Sequence, residues 1–256
     1  MTAGTSSASP ATDAEITMVG KLLVRGMLAG IAAGLLTFGF AKLVGEPQVD
    51  QAISFEEKLD AAKGEAPEPE LVSRHTQAGL GLLTGVVTYG AAFGGLFALT
   101  FAYAYGRAGR LPARPLAAWL ALAAFITLVI VPNVKYPANP PSVGDPGTIS
   151  YRTGLFFLMI AISIATMVFS INVRRVLLAK LGQWNASIIA GLLFVAIIAA
   201  VQLGLPSINE VPAAFPAVVL WKFRAAAIGM QVIMWATIGL LFGAWVEHGE
   251  RAEVSV

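Results

Sequence analysis

Apolar positions in this chain do not alternate with polar ones. They run on for lengths near the roughly 20 residues that a helix needs to cross a bilayer. Six such runs stand out: Leu22 to Val44, Leu80 to Tyr105, Pro115 to Val131, Gly154 to Val173, Ala186 to Leu205 and Ala226 to Val246, none containing Asp or Glu. A β-barrel would show short stretches of alternating polarity instead. Hydrocarbon offers no partner to backbone N–H and C=O groups, so each run is expected to be helical. The pattern predicts an all-α, polytopic membrane bundle of about six transmembrane helices in three hairpins.

Composition agrees. Apolar residues make up 57% of the chain and charged residues 12%, against about 25% charged in soluble domains. With a mean hydropathy of +0.74, the apolar excess has to face lipid. The net charge of +2 carries no nucleic-acid signal. Cysteine is absent, which removes disulfides, thiolate metal sites and a Cys nucleophile.

Short loops suggest the orientation. Arg107, Arg110 and Arg114 share one acid-free loop, and Arg174, Arg175 and Lys180 another. The positive-inside rule makes both cytoplasmic and puts both termini inside. Residues 1–18 read as a disordered cytoplasmic tail, 19–248 as one transmembrane domain and 249–256 as a second cytoplasmic tail. Leu22 to Val44 is too long for a signal h-region and is taken as an uncleaved span. Trp119, Trp184, Trp221 and Trp245 fall near expected membrane boundaries, while Trp235 falls mid-helix.

Glycines recur at four-residue spacing: Gly26, Gly30 and Gly34, then Gly81/Gly85, Gly90/Gly94 and Gly239/Gly243. Lacking Cβ atoms, they let helix backbones approach closely in lipid. Tight packing is the plain expectation; a thin solute path is the alternative.

The polar chemistry gathers in three segments on the expected outer side. The first, Gly45 to Gly79, opens with Glu46-Pro47 and Asp50, and carries an apolar stripe of Ala52, Phe55, Leu59 and Ala62 suited to a short surface helix. Pro67 and Pro69 break the stretch that follows. The second holds Lys135, Asp145-Pro146 and Arg152; the third holds Glu210, Pro212 and Arg224. Each has a carboxylate near a proline, which predicts stiff, non-helical backbone. Glu46, Asp50, Asp145 and Glu210 are therefore candidates to collect a cation. Arg74, Lys135, Arg152 and Arg224 stand on the same side, as braces for those acids or as gating charges.

His75 is the one histidine on that side and the only imidazole ligand available there; His248 lies in the C-terminal tail. Met230 and Met234, four apart, read as packing more readily than as a soft-metal site. No phosphate-binding G-x-x-x-x-G-K-[ST] loop, H-E-x-x-H or G-x-S-x-G occurs, and no catalytic residue is nominated.

Several stretches resemble one family. LLVRGMLAGIAAGLLTFGFAKLVGEPQVDQAISFEE with ELVSRHTQAGLGLLTG, KYPANPPSVGDPGTISYRTGLFF, LGQWNA, NEVPAAFPAVVLWKFR and GLLFGAW are similar to CbtA, a family of predicted cobalt transporter subunits. The resemblance implies a non-enzymatic subunit of bacterial cobalt uptake in the inner membrane, linked to cobalamin synthesis. It implies Co2+ as the transported ion, no permanently bound cofactor, and a small single-span partner of the CbtB type with a histidine-containing end. A homo-oligomer is compatible with it. Two other readings stay open: a non-conducting scaffold for a transporter, and a membrane enzyme acting on a lipid-linked substrate.

Overall fold

The computed structural model describes residues 10–64, 71–107, 109, 111–141 and 143–254. Arg110, Pro67, Pro69 and the first nine residues of the expected N-terminal tail lie outside that set. Among the described residues the regular structure is all helical, with no strand. α1 covers Pro10–Phe40 and passes through a π turn, Ala41–Gly45, into α2, Glu46–Lys63. α3 is Arg74–Ala104, α4 Ala113–Lys135, α5 Ile149–Gly204 and α6 Ala217–Val254. Helix therefore begins at Pro10, inside the expected tail, and α6 runs on to Val254 through most of the other one.

Among the described residues, five helices are long and apolar enough to cross a membrane, where six runs were expected. The difference lies in α5, whose 56 residues contain two of the runs. Straight, it would be about 84 Å long at 1.5 Å per residue. It is not straight: Gly182 takes φ 71° and ψ 172°, outside the helical region. Arg174 Nε donates to Ser187 Oγ at 2.9 Å across that break, and Met159 packs with Ile198. The two arms double back on each other, with glycine at the one residue whose left-handed φ most side chains resist.

The chain divides into two compact units. In the first (residues 1–39, 72–122 and 232–256), glycine decides the helix packing. A Cβ on Gly30 would lie 2.6 Å from the Gly90 carbonyl carbon, and one on Gly94 2.9 Å from that of Gly26. On Gly34 it would lie 2.8 Å from Val87 Cα. α1 and α3 thus meet backbone to backbone. Gly239 and Gly243 of α6 also pack closely on α4, chiefly against the methyls of Ala121 and Ala117 and against the backbone of Arg114. Gly85 has no neighbour within 4 Å, and Gly81 only Thr76 one turn back, so this pair makes no helix contact. Phe97, Phe101 and Phe242 stack edge-on at 5.0–5.4 Å. Trp235, out of place at mid-helix by the boundary argument, is a core residue 4% exposed, 5.8 Å from Phe93. Polar locks close the C-terminal part of α6: Arg114 Nε meets Glu247 at 2.7 Å, and Tyr105 Oη donates to Glu250 at 2.6 Å.

The second unit comprises residues 40–71 and 123–231. Its helices show what proline does to a helix interior. Pro47 and Pro132 lack the N–H that an α-turn needs, and each closely follows a π turn, Ala41–Gly45 and Phe125–Ile130. Carbonyls loosened near Pro132 find side chains: Asn133 Nδ2 donates to Val129 O at 2.8 Å, and Gln202 Nε2 to Val131 O at 3.0 Å. Pro47 therefore sits within helix, and Glu46 and Asp50 stand on α2 rather than on the stiff extended backbone expected of them. Half of the apolar stripe on α2 is used: Ala52 and Phe55 pack with Val143, Phe215 and Val219, while Leu59 and Ala62 remain exposed.

Gly30→Ala is expected to destabilise the detergent-solubilised protein by about 1–3 kcal/mol through overpacking against Gly90. Gly85→Ala, with open space around it, should be neutral or slightly stabilising. Thermal unfolding followed by circular dichroism separates the two; equal midpoints would contradict the close α1–α3 contact.

Candidate functional site

Within the second unit, α4, α5 and α6 enclose a cavity of about 550 Å³ together with the two segments that join them. That volume is in the range of small-molecule sites. Both connecting segments are non-helical for a sequence reason: Pro137, Pro140, Pro141 and Pro146 interrupt the first, and Pro206, Pro212 and Pro216 the second.

The wall facing α5 is an interlocked set. Asp145 is extended (φ −82°, ψ 124°), and its carboxylate accepts from Gly147 N at 2.8 Å, capping the single turn Pro146–Thr148. Glu210 comes across from the second segment. Its Oε1 accepts from Thr148 Oγ1 at 2.7 Å and its Oε2 from the Asp145 backbone N–H at 2.7 Å. Arg152 Nε lies 3.3 Å from Glu210 Oε2. This is an ion pair off the line of a hydrogen bond, so that N–H is left unbonded. Arg152 Nη2 donates to the Asp145 carbonyl at 3.2 Å. Gly144 makes room for this guanidinium. Its φ of 127° favours glycine, and a Cβ there would come within 2.8 Å of Arg152 Cζ.

The Thr148 hydroxyl, then the Asp145 N–H, hold the Glu210 carboxyl below its ordinary range; Arg152 adds to this, and burial works against it. Elsewhere in the lining, Arg224 Nε donates to Ala138 O at 3.1 Å and Nη2 to Asn139 Oδ1 at 2.8 Å. Lys135 donates to Ser207 Oγ at 3.2 Å, outside the cavity lining. Asn133, Asn209 and Gln231 complete the polar wall; Tyr136, Val129, Phe156 and Ile228 supply apolar surface.

Asp145, Glu210 and Arg152 are thus brought into contact, and Arg224 lines the same cavity as Glu210 and Arg152. Glu46 and Asp50 belong to this unit, on α2, but do not line the cavity. His75, exposed at the start of α3, and Arg74 belong to the other unit. Among the described residues, no three His, Asp or Glu side chains gather closely enough to hold a metal ion. Sequence reasoning passed over Thr148, Gly144, Asn133 and Gln231. Gly144 carried a usable signal in standing beside Asp145-Pro146, whereas the amides carried none.

A family model described as a probable cobalt transporter subunit (CbtA) matches residues 19–247. The chain belongs to the CbtA family. CbtA is a transporter family, and the apolar helices make this member a multi-pass membrane protein. No curated protein and no solved structure matches the chain.

A carboxylate with a lowered pKa stabilises the folded state above its unfolded value, and that stability fades as pH falls through the folded value. Glu210→Gln should therefore lower the unfolding midpoint near neutral pH, and the gap from the parent should shrink as pH falls below about 4.5. A gap independent of pH would show that the Glu210 charge does not hold these segments together.

Proposed function

We propose that this CbtA protein is the membrane-embedded, cargo-handling subunit of a cobalt uptake system in a bacterial inner membrane. The observation that carries this reading is the family match over nearly the whole hydrophobic region. The proline-rich cavity supports it, because irregular backbone at a membrane protein's edge is tolerated where it lines a cavity. In this reading the face bearing Asp145, Glu210 and the cavity is extracytoplasmic. By the same topology Glu46, Asp50 and His75 face that side of the membrane and add attraction for Co2+, while Arg152 and Arg224 set the geometry of the cavity. The description as a subunit supports a partner, and a small single-span protein of the CbtB type would supply the histidines this chain lacks.

The same reading assigns six crossings with both termini inside, the two arms of α5 counting separately on account of the break at Gly182. The chain contains no cysteine, so single introduced cysteines report topology without background. Ser207→Cys is expected to react with a membrane-impermeant maleimide in intact cells, and Arg107→Cys and Gln183→Cys only after lysis. Labelling of Gln183→Cys in intact cells would overturn this topology.

For transport, cells expressing the chain with its partner should accumulate Co2+ above control cells. Joint replacement of Glu46, Asp145 and Glu210 by alanine should reduce accumulation severalfold at unchanged protein level. Unchanged accumulation would remove the carboxylates from the mechanism. No accumulation by the parent pair would favour a non-conducting scaffold.

A further inference from the structure

The charges lining the cavity point away from a bare cation. Among the described residues, the lining holds one carboxylate, Glu210, and two guanidinium groups, Arg152 and Arg224. Glu210 is already held by Thr148, the Asp145 N–H and Arg152, so its lone pairs and its charge are largely committed. Arg224 has no carboxylate. Its two hydrogen bonds go to neutral acceptors, the Ala138 carbonyl and the Asn139 amide oxygen. Of the five N–H donors on a guanidinium, these leave both on Nη1 and one on Nη2. A half-buried cation held in place by neutral groups keeps its full charge for something else. In the same lining, Gln231 Oε1 is buried and makes no hydrogen bond within the protein. It lies on the same helix, seven residues on, and also lines the cavity. It calls for a donor, such as a hydroxyl, in whatever occupies the space.

We propose that this cavity binds a small organic oxyanion, a carboxylate bearing hydroxyl groups, through the open edge of Arg224. Arginine suits this task because its planar fork matches the two oxygens of a carboxylate. Asn133, Asn209 and Gln231 are placed to read the hydroxyls, and a volume of about 550 Å³ admits a molecule rather than an ion. The ligand is either the free acid or the same acid chelating a metal ion, in which case the cargo enters as an anionic complex. The carboxylate chemistry at Arg224 is common to both.

Isothermal titration of the purified full chain tests this with three probes: citrate, citrate with equimolar CoCl2, and CoCl2 alone. Binding is expected in at least one citrate arm, and the tighter arm tells free acid from chelate. Arg224→Gln should weaken it about tenfold or more, the value of one lost charged hydrogen bond, and Arg224→Lys should recover part of the loss. Unfolding midpoints of both variants show whether the fold survives. Should Arg224→Gln fail to fold, Gln231→Leu, which removes the buried acceptor and no structural bond, should weaken citrate binding on an intact scaffold. Absence of citrate binding in both citrate arms, or citrate affinity untouched by both substitutions, would overturn the proposal. Since no transport is measured, failure here leaves the uptake reading standing, and failed accumulation with intact citrate binding removes uptake alone.

Discussion

In hydrocarbon every backbone N–H and C=O must find its partner inside the protein, and the rest of this structure follows from that constraint. Long stretches meet it as uninterrupted helix. Where the chain departs from helix, a side chain or a widened turn takes over. Asn133 and Gln202 bond carbonyls near Pro132, π turns precede Pro47 and Pro132, and Asp145 caps the turn that leads into α5. Polar side chains in the second unit are first of all repairs to backbone, and the cavity sits among them.

The same constraint shapes the helix contacts of the first unit. Apolar side chains gain little by leaving lipid for one another, so close approach and dispersion must hold the helices together. Gly26, Gly30 and Gly34 meet Gly94, Gly90 and Val87 at backbone distance, and an aromatic cluster of Phe97, Phe101 and Phe242 fills the space where glycine is absent. Glu247 and Glu250 then fasten α6 with charged and phenolic partners, Arg114 and Tyr105.

What could be read in advance was what periodicity and composition encode: helices, their rough limits, and most of the glycine contacts. Gly81 and Gly85 show the limit, since spacing gives a face but not what that face meets. The proline rule worked at Asp145, where four prolines share one segment, and failed at Glu46, where a single proline is absorbed by a π turn. For Glu210 and Arg152, pairing was anticipated as the alternative to ligation, and their contact is direct. The cavity's amides were illegible, because Asn133, Asn209 and Gln231 are far apart in sequence and meet only once α4 and α6 are packed.

The α5 hairpin differs from the other helices in one respect. Only 17% of its most apolar window is buried, against 28–39% for the other four candidate spans. Val176, Trp184, Leu192 and Val195 are each more than 60% exposed. Its two arms, joined by the tight reversal at Gly182, draw most of their membrane affinity from lipid rather than from neighbouring helices. During synthesis both arms are complete before α6 exists to pack against them. Arg224, carried on the last-made helix, therefore reaches the cavity only after the α4 and α5 parts of its lining have been made.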